Sequence, residues 1–332
     1  TLSPESTHQV TWLMGDRGIP KTWRHMDGFS SHTYQMINAE GVRHWVKFHF
    51  KTNQGIEFLT QDEADTLAGT NGDYHREDLW NSIRDGQYPS WDLYLQVMPV
   101  DEAEGYKYNP LDLTKTWSQK DYPLRKVGTM TLNRNPQNHH AQIEQAAFAP
   151  TNIVPGIGFS PDKMLLGRVF AYPDIHRYRI GANYQQLPVN MPRGVEVRNH
   201  QHEGPMRYHF NPAETPVYGS NSVSPVTADA ARAGEVNWEA DGELIRAAQT
   251  LRADDDDFGQ AGTLYREVFT DEEKARFHDV LVGQYEALTV EDVKQRFLQY
   301  WTNVDAGLGQ TLRSRVAAGD SGATTTQPLG DG

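Results

Sequence analysis

Apolar and polar residues alternate in three stretches of the chain, and each stretch predicts a β-strand. Residues 46–51 read Val-Lys-Phe-His-Phe-Lys, which is the period-two pattern of a strand with one buried face. Residues 93–98 alternate in the same way, and residues 129–132 predict one more strand. The Asn-Ala-Glu-Gly sequence at 38–41 predicts a hairpin turn before the first of these strands. The first half of the chain is therefore β-rich.

Helical spacing predicts helices between these strands and again in the last third of the chain. Thr60 with Glu63, and Thr270 with Glu273, have the spacing of a capping box, in which each side chain bonds to the other residue's backbone N–H. We expect Thr289 to open a further helix. The chain therefore combines a β-rich body with helices.

The order of these patterns predicts an α+β protein with four parts. A β-rich body at 1–184 includes a long helix at about 161–180. Residues 185–235 are rich in Pro, Asn, His and Gly, and we interpret them as a segment that wraps over neighbouring surface. A helical domain is expected at 236–310, followed by a flexible tail at 311–332.

The long helix carries the best candidate chemistry. Ser160 is expected to be its N-cap, and Gly181 fits the stop after its last turn. At about 100° per residue, Arg168, Tyr172 and Arg179 lie within about 40° of one another on one face. A fixed cation beside a tyrosine favours its phenolate form. The same pattern also fits a core helix whose arginines form surface ion pairs, and the spacing alone favours that interpretation without excluding the other.

Composition and charge exclude several classes of protein. The chain has 31 Lys and Arg against 44 Asp and Glu, a net charge of −13, which argues against nucleic-acid binding. It has no cysteine, so disulfides, zinc–thiolate sites, iron–sulfur clusters and thiol nucleophiles are excluded. No apolar run of about 18 residues is present, which excludes a membrane-spanning helix. Because the chain begins with Thr1 and not Met, we expect a later part of a longer protein, or a processed form.

Several segments together resemble the monofunctional haem catalases of the small-subunit, NADPH-binding type. The segments are GRVFAYPDIHRYRIG, DRGIPKTWRHMDGFSSHTY, KFHFKTNQGI, YPSWDLYLQVM, LDLTKTWSQKDYPL, LNRNPQN and EQAAFAPTNIVPGI, which occur in the family's order. The resemblance implies a haem catalase fold, with the second half of an antiparallel β-barrel, inserted helices, a long wrapping loop and a C-terminal helical domain. It also implies disproportionation of hydrogen peroxide and a role in oxidative stress.

Carried over position by position, the resemblance implies a proximal haem site on the long helix. Tyr172 corresponds to the axial iron ligand, which is a tyrosine in catalases, so this assignment comes from the resemblance and not from the spacing. Arg168 corresponds to the arginine paired with the ligand oxygen, and Arg179 to a propionate arginine. His32 and Asp162 correspond to the outer members of a hydrogen-bonded relay. The residues that match the packing around haem, expected to be haem b, are Phe148, Met164, Ala171, Ile175 and His176.

Some members of the family also bind NADPH, and the resemblance implies the corresponding positions here. They are His8, Trp12, Arg17, His49, Lys51 and Trp117. Gln119 replaces the usual histidine and Gly15 the usual serine. Ordinary surface polarity remains an alternative interpretation of His8 and Lys51.

The resemblance further implies a cytoplasmic homotetramer with interlaced arms. The family's distal histidine and asparagine, which handle peroxide, match no position of this sequence. Two other functions therefore stay open at this point: a related haem enzyme that acts on lipid hydroperoxides, and an inactive haem-binding fragment.

Overall fold

The computed structural model describes residues 1–194, 202–208, 221–223 and 256–319. Its strands are β1 Gly28–Phe29, β2 Tyr34–Ile37, β3 Arg43–Thr52, β4 Ser90–Pro99, β5 Arg125–Thr131 and β6 Ile157–Phe159. Its α-helices are α1 Thr7–Met14, α2 Gln61–Thr70, α3 Tyr74–Arg84, α4 Lys163–Arg179, α5 Gly259–Thr263, α6 Asp271–Glu286, α7 Glu291–Val304 and α8 Ala306–Ala317. Short 3-10 turns and two π-helical turns, His140–Glu144 and Leu264–Val268, lie between them.

The six strands form one antiparallel sheet, in which five follow the order β5-β4-β3-β2-β6 and β1 pairs with β3. Strand β3 is its centre, since it pairs with β4 along one side and with β2 and then β1 along the other. The predicted turn at 38–41 is confirmed as the β2–β3 hairpin, in which the Asn38 side chain accepts hydrogen bonds from the backbone N–H groups of Glu40 and Val42. The three predicted strands are confirmed as β3, β4 and β5.

The prediction that β3 has one buried face is wrong. Val46 is buried on one face, but Trp45 and Lys47 are buried on the other. Residues 100–123, which follow β4, pass over that second face and pack Trp117 against Trp45 and Met98. The sheet centre is therefore covered on the side where an alternating pattern predicts solvent.

Two of the three helix starts predicted from the sequence are confirmed, and one is wrong. Capping boxes are present at Thr60 in α2 and at Thr270 in α6. Thr289 does not open a helix, because α7 begins at Glu291 with Val290 at the N-cap position. The Thr289 prediction is therefore wrong by two residues.

Helices α5 to α8, here called the helical unit, share an apolar core with α1. Phe277, Leu281, Trp301, Leu308 and Leu312 are among its almost completely buried members. Two ion pairs connect this region to the rest of the chain: Arg276 in α6 with Asp16 at 2.7 Å, and Asp257, just before α5, with Lys115 at 2.7 Å. The helical unit is thus fixed beside the sheet.

The expected division into parts is only partly covered by the described residues. The predicted tail from 311 overlaps α8, because Leu308 and Leu312 are buried in the helical core and keep this stretch helical to Ala317. The first residues of the 185–235 segment pack inward, with Gln186 buried. Residues 195–201, 209–220, 224–255 and 320–332 lie outside the described residues. Within the described ranges, no helix is both long enough and apolar enough to cross a membrane.

Candidate active site on helix α4

Asp162 begins helix α4 and connects it to the sheet. Its Oδ1 accepts hydrogen bonds from the backbone N–H groups of Met164 at 2.9 Å and Leu165 at 3.1 Å, so Asp162 is the N-cap. The prediction that Ser160 is the N-cap is wrong. The Ser160 hydroxyl instead donates to the carbonyl oxygen of Thr33, which ties the start of α4 to the segment before β2.

His32 lies against the other oxygen of the same carboxylate. Its Nδ1 donates to Asp162 Oδ2 at 2.6 Å, and both side chains are buried. Burial disfavours the ionised carboxylate, but the hydrogen bonds from His32 and from the Leu165 and Met164 N–H groups outweigh it and lower the pKa of Asp162. Asp162 is therefore an anion that caps the helix and orients the imidazole.

Arg168 and Tyr172 form the second pair on α4, one helical turn apart. Arg168 Nη2 donates to the Tyr172 hydroxyl oxygen at 2.8 Å, and the guanidinium carbon lies 5.0 Å from the ring centroid. Pro173 follows inside the helix without ending it. Among the described residues, no hydrogen bond joins this pair to the His32–Asp162 pair, so the expected four-member relay is present as two separate pairs.

Two residues near this site had no functional signal in the sequence. Tyr34 in β2 lies close enough to Arg168, Asp162 and Tyr172 for these groups to influence its pKa. Burial raises the pKa of Tyr34, and the Arg168 guanidinium partly opposes that shift. Lys47 in β3 is buried near Asp162, although its place in the alternating pattern predicts solvent.

Apolar side chains around Tyr172 are exposed to an unusual degree. Phe148 is 82% exposed, and Met164 and Ile175 are more than half exposed. Ala171, beside Tyr172, is exposed as well. A tyrosine oxygen held by a cation, within a patch of exposed apolar side chains, has the donor and the surroundings that a flat apolar iron cofactor needs. These residues fit haem.

His176 and Arg179 close the far end of α4. His176 is buried, and its Nε2 lies 2.8 Å from the Phe148 carbonyl oxygen, to which it donates. Arg179 donates to the carbonyl oxygens of Glu144 and Ala146, and to His176 Nδ1 at 3.1 Å. Arg179 is therefore a fixed cation that holds the turn leading to Phe148.

The residues matched to a nucleotide site form a chain of contacts along one side of the molecule. Trp12 Nε1 donates to His8 at 3.1 Å, and the Arg17 guanidinium lies 5.1 Å from the Trp12 ring centroid. Arg17 and Lys51 both pair with Asp27, at 3.3 and 2.9 Å. The structure thus brings two cations and two aromatic side chains to one surface.

Three of the matched residues, His8, His49 and Trp117, are at least partly buried. Burial lowers the pKa of His8 to about 4, with help from Lys115, and lowers the pKa of His49 to about 4 despite its hydrogen bond to Gln96. Both imidazoles are therefore neutral at pH 7. The Trp117 ring is buried, and its N–H donates to the Pro110 carbonyl oxygen, so its side chain is not available to a ligand in this structure.

Comparison with known proteins agrees with this geometry. The catalase family model matches residues 1–225, and the model called catalase-related immune-responsive matches residues 252–316. The bromoperoxidase-catalase of Streptomyces venezuelae is 46% identical, with 96% of this chain and 65% of that protein covered. Catalase A of Pseudomonas putida is 49% identical, with 93% of this chain and 64% of that protein covered. A solved structure titled as a bacterial catalase is 50% identical with a TM-score of 0.85, and the match covers 95% of this chain and 64% of that one.

The chain therefore belongs to the catalase family. Its α+β architecture, an antiparallel sheet with inserted helices followed by a helical unit, is that of the catalase fold. The chain spans just under two thirds of the length of the relatives it matches.

Proposed function

We propose that this protein acts as a haem catalase, converting two molecules of hydrogen peroxide into two of water and one of dioxygen, with Tyr172 as the iron ligand. The observation that carries the proposal is the 2.8 Å hydrogen bond from Arg168 to the Tyr172 oxygen. Membership of the catalase family supports the same reaction.

Arg168 has a defined task in this proposal. A guanidinium stays protonated at every relevant pH, so it can only donate to the Tyr172 oxygen. This hydrogen bond fixes the position of the Tyr172 oxygen, as groups behind a metal ligand usually do. Arg168 lies one helical turn before Tyr172, and because α4 is continuous between them, the two side chains stay next to each other on the same face.

The surroundings of Tyr172 would hold the cofactor. Haem b, when bound, supplies the redox chemistry by which one peroxide is reduced and a second is oxidised. Phe148, Met164, Ala171 and Ile175 would pack against it, since their exposed surface is apolar. Arg179 would pair with a carboxylate of the cofactor. His176 would keep Phe148 in place through its bond to the Phe148 carbonyl oxygen.

NADPH is the second cofactor we propose. Arg17 and Lys51 offer cations for its phosphates, and Trp12 offers an aromatic surface. Because the extra phosphate recruits charge-assisted hydrogen bonds, NADPH should bind more tightly than NADH. Calorimetry that finds equally weak binding of both nucleotides would remove these residues from the site.

We also propose that the protein assembles as a homotetramer. Phe170 and Tyr178 on α4 are 77% and 87% exposed, and large apolar side chains exposed to this degree support an interface with another subunit. Analytical ultracentrifugation of the protein made from its natural gene should give a tetramer; a stable, active monomer would contradict the proposal. A cytoplasmic location stays a prediction.

Dioxygen release tests the proposed reaction. The protein made from its natural gene should release dioxygen from hydrogen peroxide and act more slowly on a lipid hydroperoxide. Arg168→Leu should retain haem but lose about 10- to 100-fold in rate, because residues that orient a metal ligand usually contribute that much. Arg168→Lys should recover only part of the loss, since it lacks the planar fork. A higher rate with the lipid hydroperoxide would favour the alternative function, a related haem enzyme that acts on lipid hydroperoxides. Full activity of Arg168→Leu would contradict the assigned task of Arg168.

A further inference from the structure

Lys47 is a buried cation at the centre of the sheet. It is 6% exposed, and among the described residues no carboxylate lies within ion-pair distance of its ammonium. Instead its Nζ donates to two backbone carbonyl oxygens, those of Ser31 and Lys115, each at 3.1 Å. The Trp117 ring, with its centroid 5.4 Å from Nζ, covers the remaining side. Burial lowers the pKa of Lys47 to about 8 although Asp162 and Asp112 oppose that shift. Burying an unpaired charge is costly, so this ammonium calls for a physical reason.

One of its two acceptors belongs to a strained turn. Ser31 has φ of +58°, a left-handed conformation that residues with a side chain rarely adopt. The neighbouring Ser30 is held to β3 twice, by Ser30 N–H to Phe48 O at 3.0 Å and by Phe48 N–H to Ser30 Oγ at 3.1 Å. Lys47 fixes the Ser31 carbonyl from the same strand. The turn is therefore held in an unfavourable conformation by β3.

The strained turn delivers His32 to the start of α4. His32 follows Ser31 directly and donates to Asp162. The second oxygen of Asp162 caps α4 through the Met164 and Leu165 N–H groups. Arg168 and Tyr172 then follow on the same helix. A continuous series of contacts thus leads from the Lys47 ammonium to the helix that carries the tyrosine.

We propose that Lys47 is a positioning residue for the Tyr172 site, whose ammonium holds the Ser31 carbonyl so that His32 stays against Asp162 at the start of α4. The proposal rests on the proposed function for the importance of Tyr172. It adds a residue that touches neither Tyr172 nor Arg168 and acts only through the turn. It also gives a reason for the unpaired buried charge, because an ammonium has three N–H donors and no acceptor, so it can donate to both carbonyl oxygens at once.

Hydrogen exchange of the holoenzyme, followed by mass spectrometry, tests the proposal. In Lys47→Met, peptides that contain Ser30–His32 and Met164–Leu165 should exchange at least about tenfold faster, as expected when local opening becomes easier. Lys47→Arg, which keeps donors and charge, should restore part of the protection. Lys115→Met is the matched control: it removes a buried ammonium that bonds to Asp257 and not to the turn, so the same peptides should keep their protection.

The outcomes separate positioning from general destabilisation. If Lys47→Met leaves both peptides protected, or if Lys115→Met exposes them equally, Lys47 is not a positioning residue. Should Lys47→Met fail to fold, the double variant with Ser31→Gly is measured instead, because glycine adopts the positive φ without support. We expect that double variant to fold, and its failure would overturn the proposal. The exchange result is independent of the iron ligand, so it stands or falls separately from the assignment of Tyr172.

Discussion

The helical unit and helix α4 use the same kinds of apolar side chain in opposite ways. Phe277 in α6 is 1% exposed and makes edge contacts with Trp301 and Phe269, at centroid distances of 5.4 and 5.5 Å. Phe170 in α4 is mostly exposed. The helical unit is therefore held by burial of apolar surface, whereas α4 presents apolar surface outward.

Polar contacts hold α4 instead. Asp162 caps its first turn and bonds to His32, and Arg179 in its last turn donates to two backbone carbonyl oxygens. Because these end contacts fix the helix, side chains such as Phe170 need not face the core of this chain, although Leu165 in the first turn is fully buried. Charged groups at its two ends thus position α4, and its exposed apolar side chains stay available to the proposed haem.

The largest expected effect contrasts two identical substitutions. Phe277→Ala should lower the free energy of unfolding by about 3–5 kcal/mol, because it opens a cavity in a packed core. Phe170→Ala should change it by less than about 0.5 kcal/mol in the haem-free protein, since its ring is exposed. Urea unfolding of both variants measures the contrast. Equal losses would mean that α4 is also held by apolar burial.

The ion pair between Asp257, just before the helical unit, and Lys115, in the loop between β4 and β5, gives the next effect. Asp257→Asn should cost about 3 kcal/mol, because it leaves the buried Lys115 ammonium without its partner. Asp73→Asn removes the carboxylate of the exposed pair with Arg76 and should cost less than about 1 kcal/mol. Both values come from chemical denaturation at neutral pH. A small loss in Asp257→Asn would show that the attachment of the helical unit does not depend on this pair.

A smaller effect tests where the helices of the helical unit begin. Thr270→Ala should cost about 1 kcal/mol, because it removes one half of the capping box of α6. Thr289→Ala should cost only a few tenths, since that side chain caps no helix. Thermal unfolding of the two variants compares them. A larger loss at Thr289 would favour the helix start that the sequence predicts.

The sequence predicted these elements where local rules decide them. The capping boxes at Thr60 and Thr270 and the hairpin at 38–41 depend on residues within four positions of one another, and all three are present. The start of α4 was misassigned because Ser160 and Asp162 are both good caps. Which of them faces the helix depends on Thr33 and His32, about 130 residues earlier.

The candidate site was predictable mainly through the family resemblance. Helical spacing alone placed Arg168 beside Tyr172 but favoured a core helix with surface ion pairs. The burial of Lys47 could not be predicted, because an alternating strand does not reveal that residues 100–123 cover its polar face. Strand β6, three residues long, is likewise set by its pairing with β2 and not by its own pattern.

The smallest effect concerns acid. The pKa of Asp162 is lowered in the folded protein, so its ionisation contributes stability above the unfolded value of about 4 and that stability is lost as pH falls through the folded value. Thermal unfolding between about pH 5 and pH 3 should therefore show a steeper loss for the native protein than for Asp162→Asn. If the stability of the two proteins fell equally with pH, the ionised Asp162 carboxylate would not contribute to holding α4.

The absorption spectrum of the haem-loaded protein tests the central claim that Tyr172 is the iron ligand. Two tyrosines on α4 provide a matched pair, since Tyr172 bonds to Arg168 while Tyr178 is mostly exposed. The protein made from its natural gene is compared with Tyr172→Phe and Tyr178→Phe, each checked for folding by circular dichroism. Tyr172→Phe should lose the spectrum of tyrosinate-ligated iron, and Tyr178→Phe should keep it. An unchanged spectrum in Tyr172→Phe would contradict the assignment.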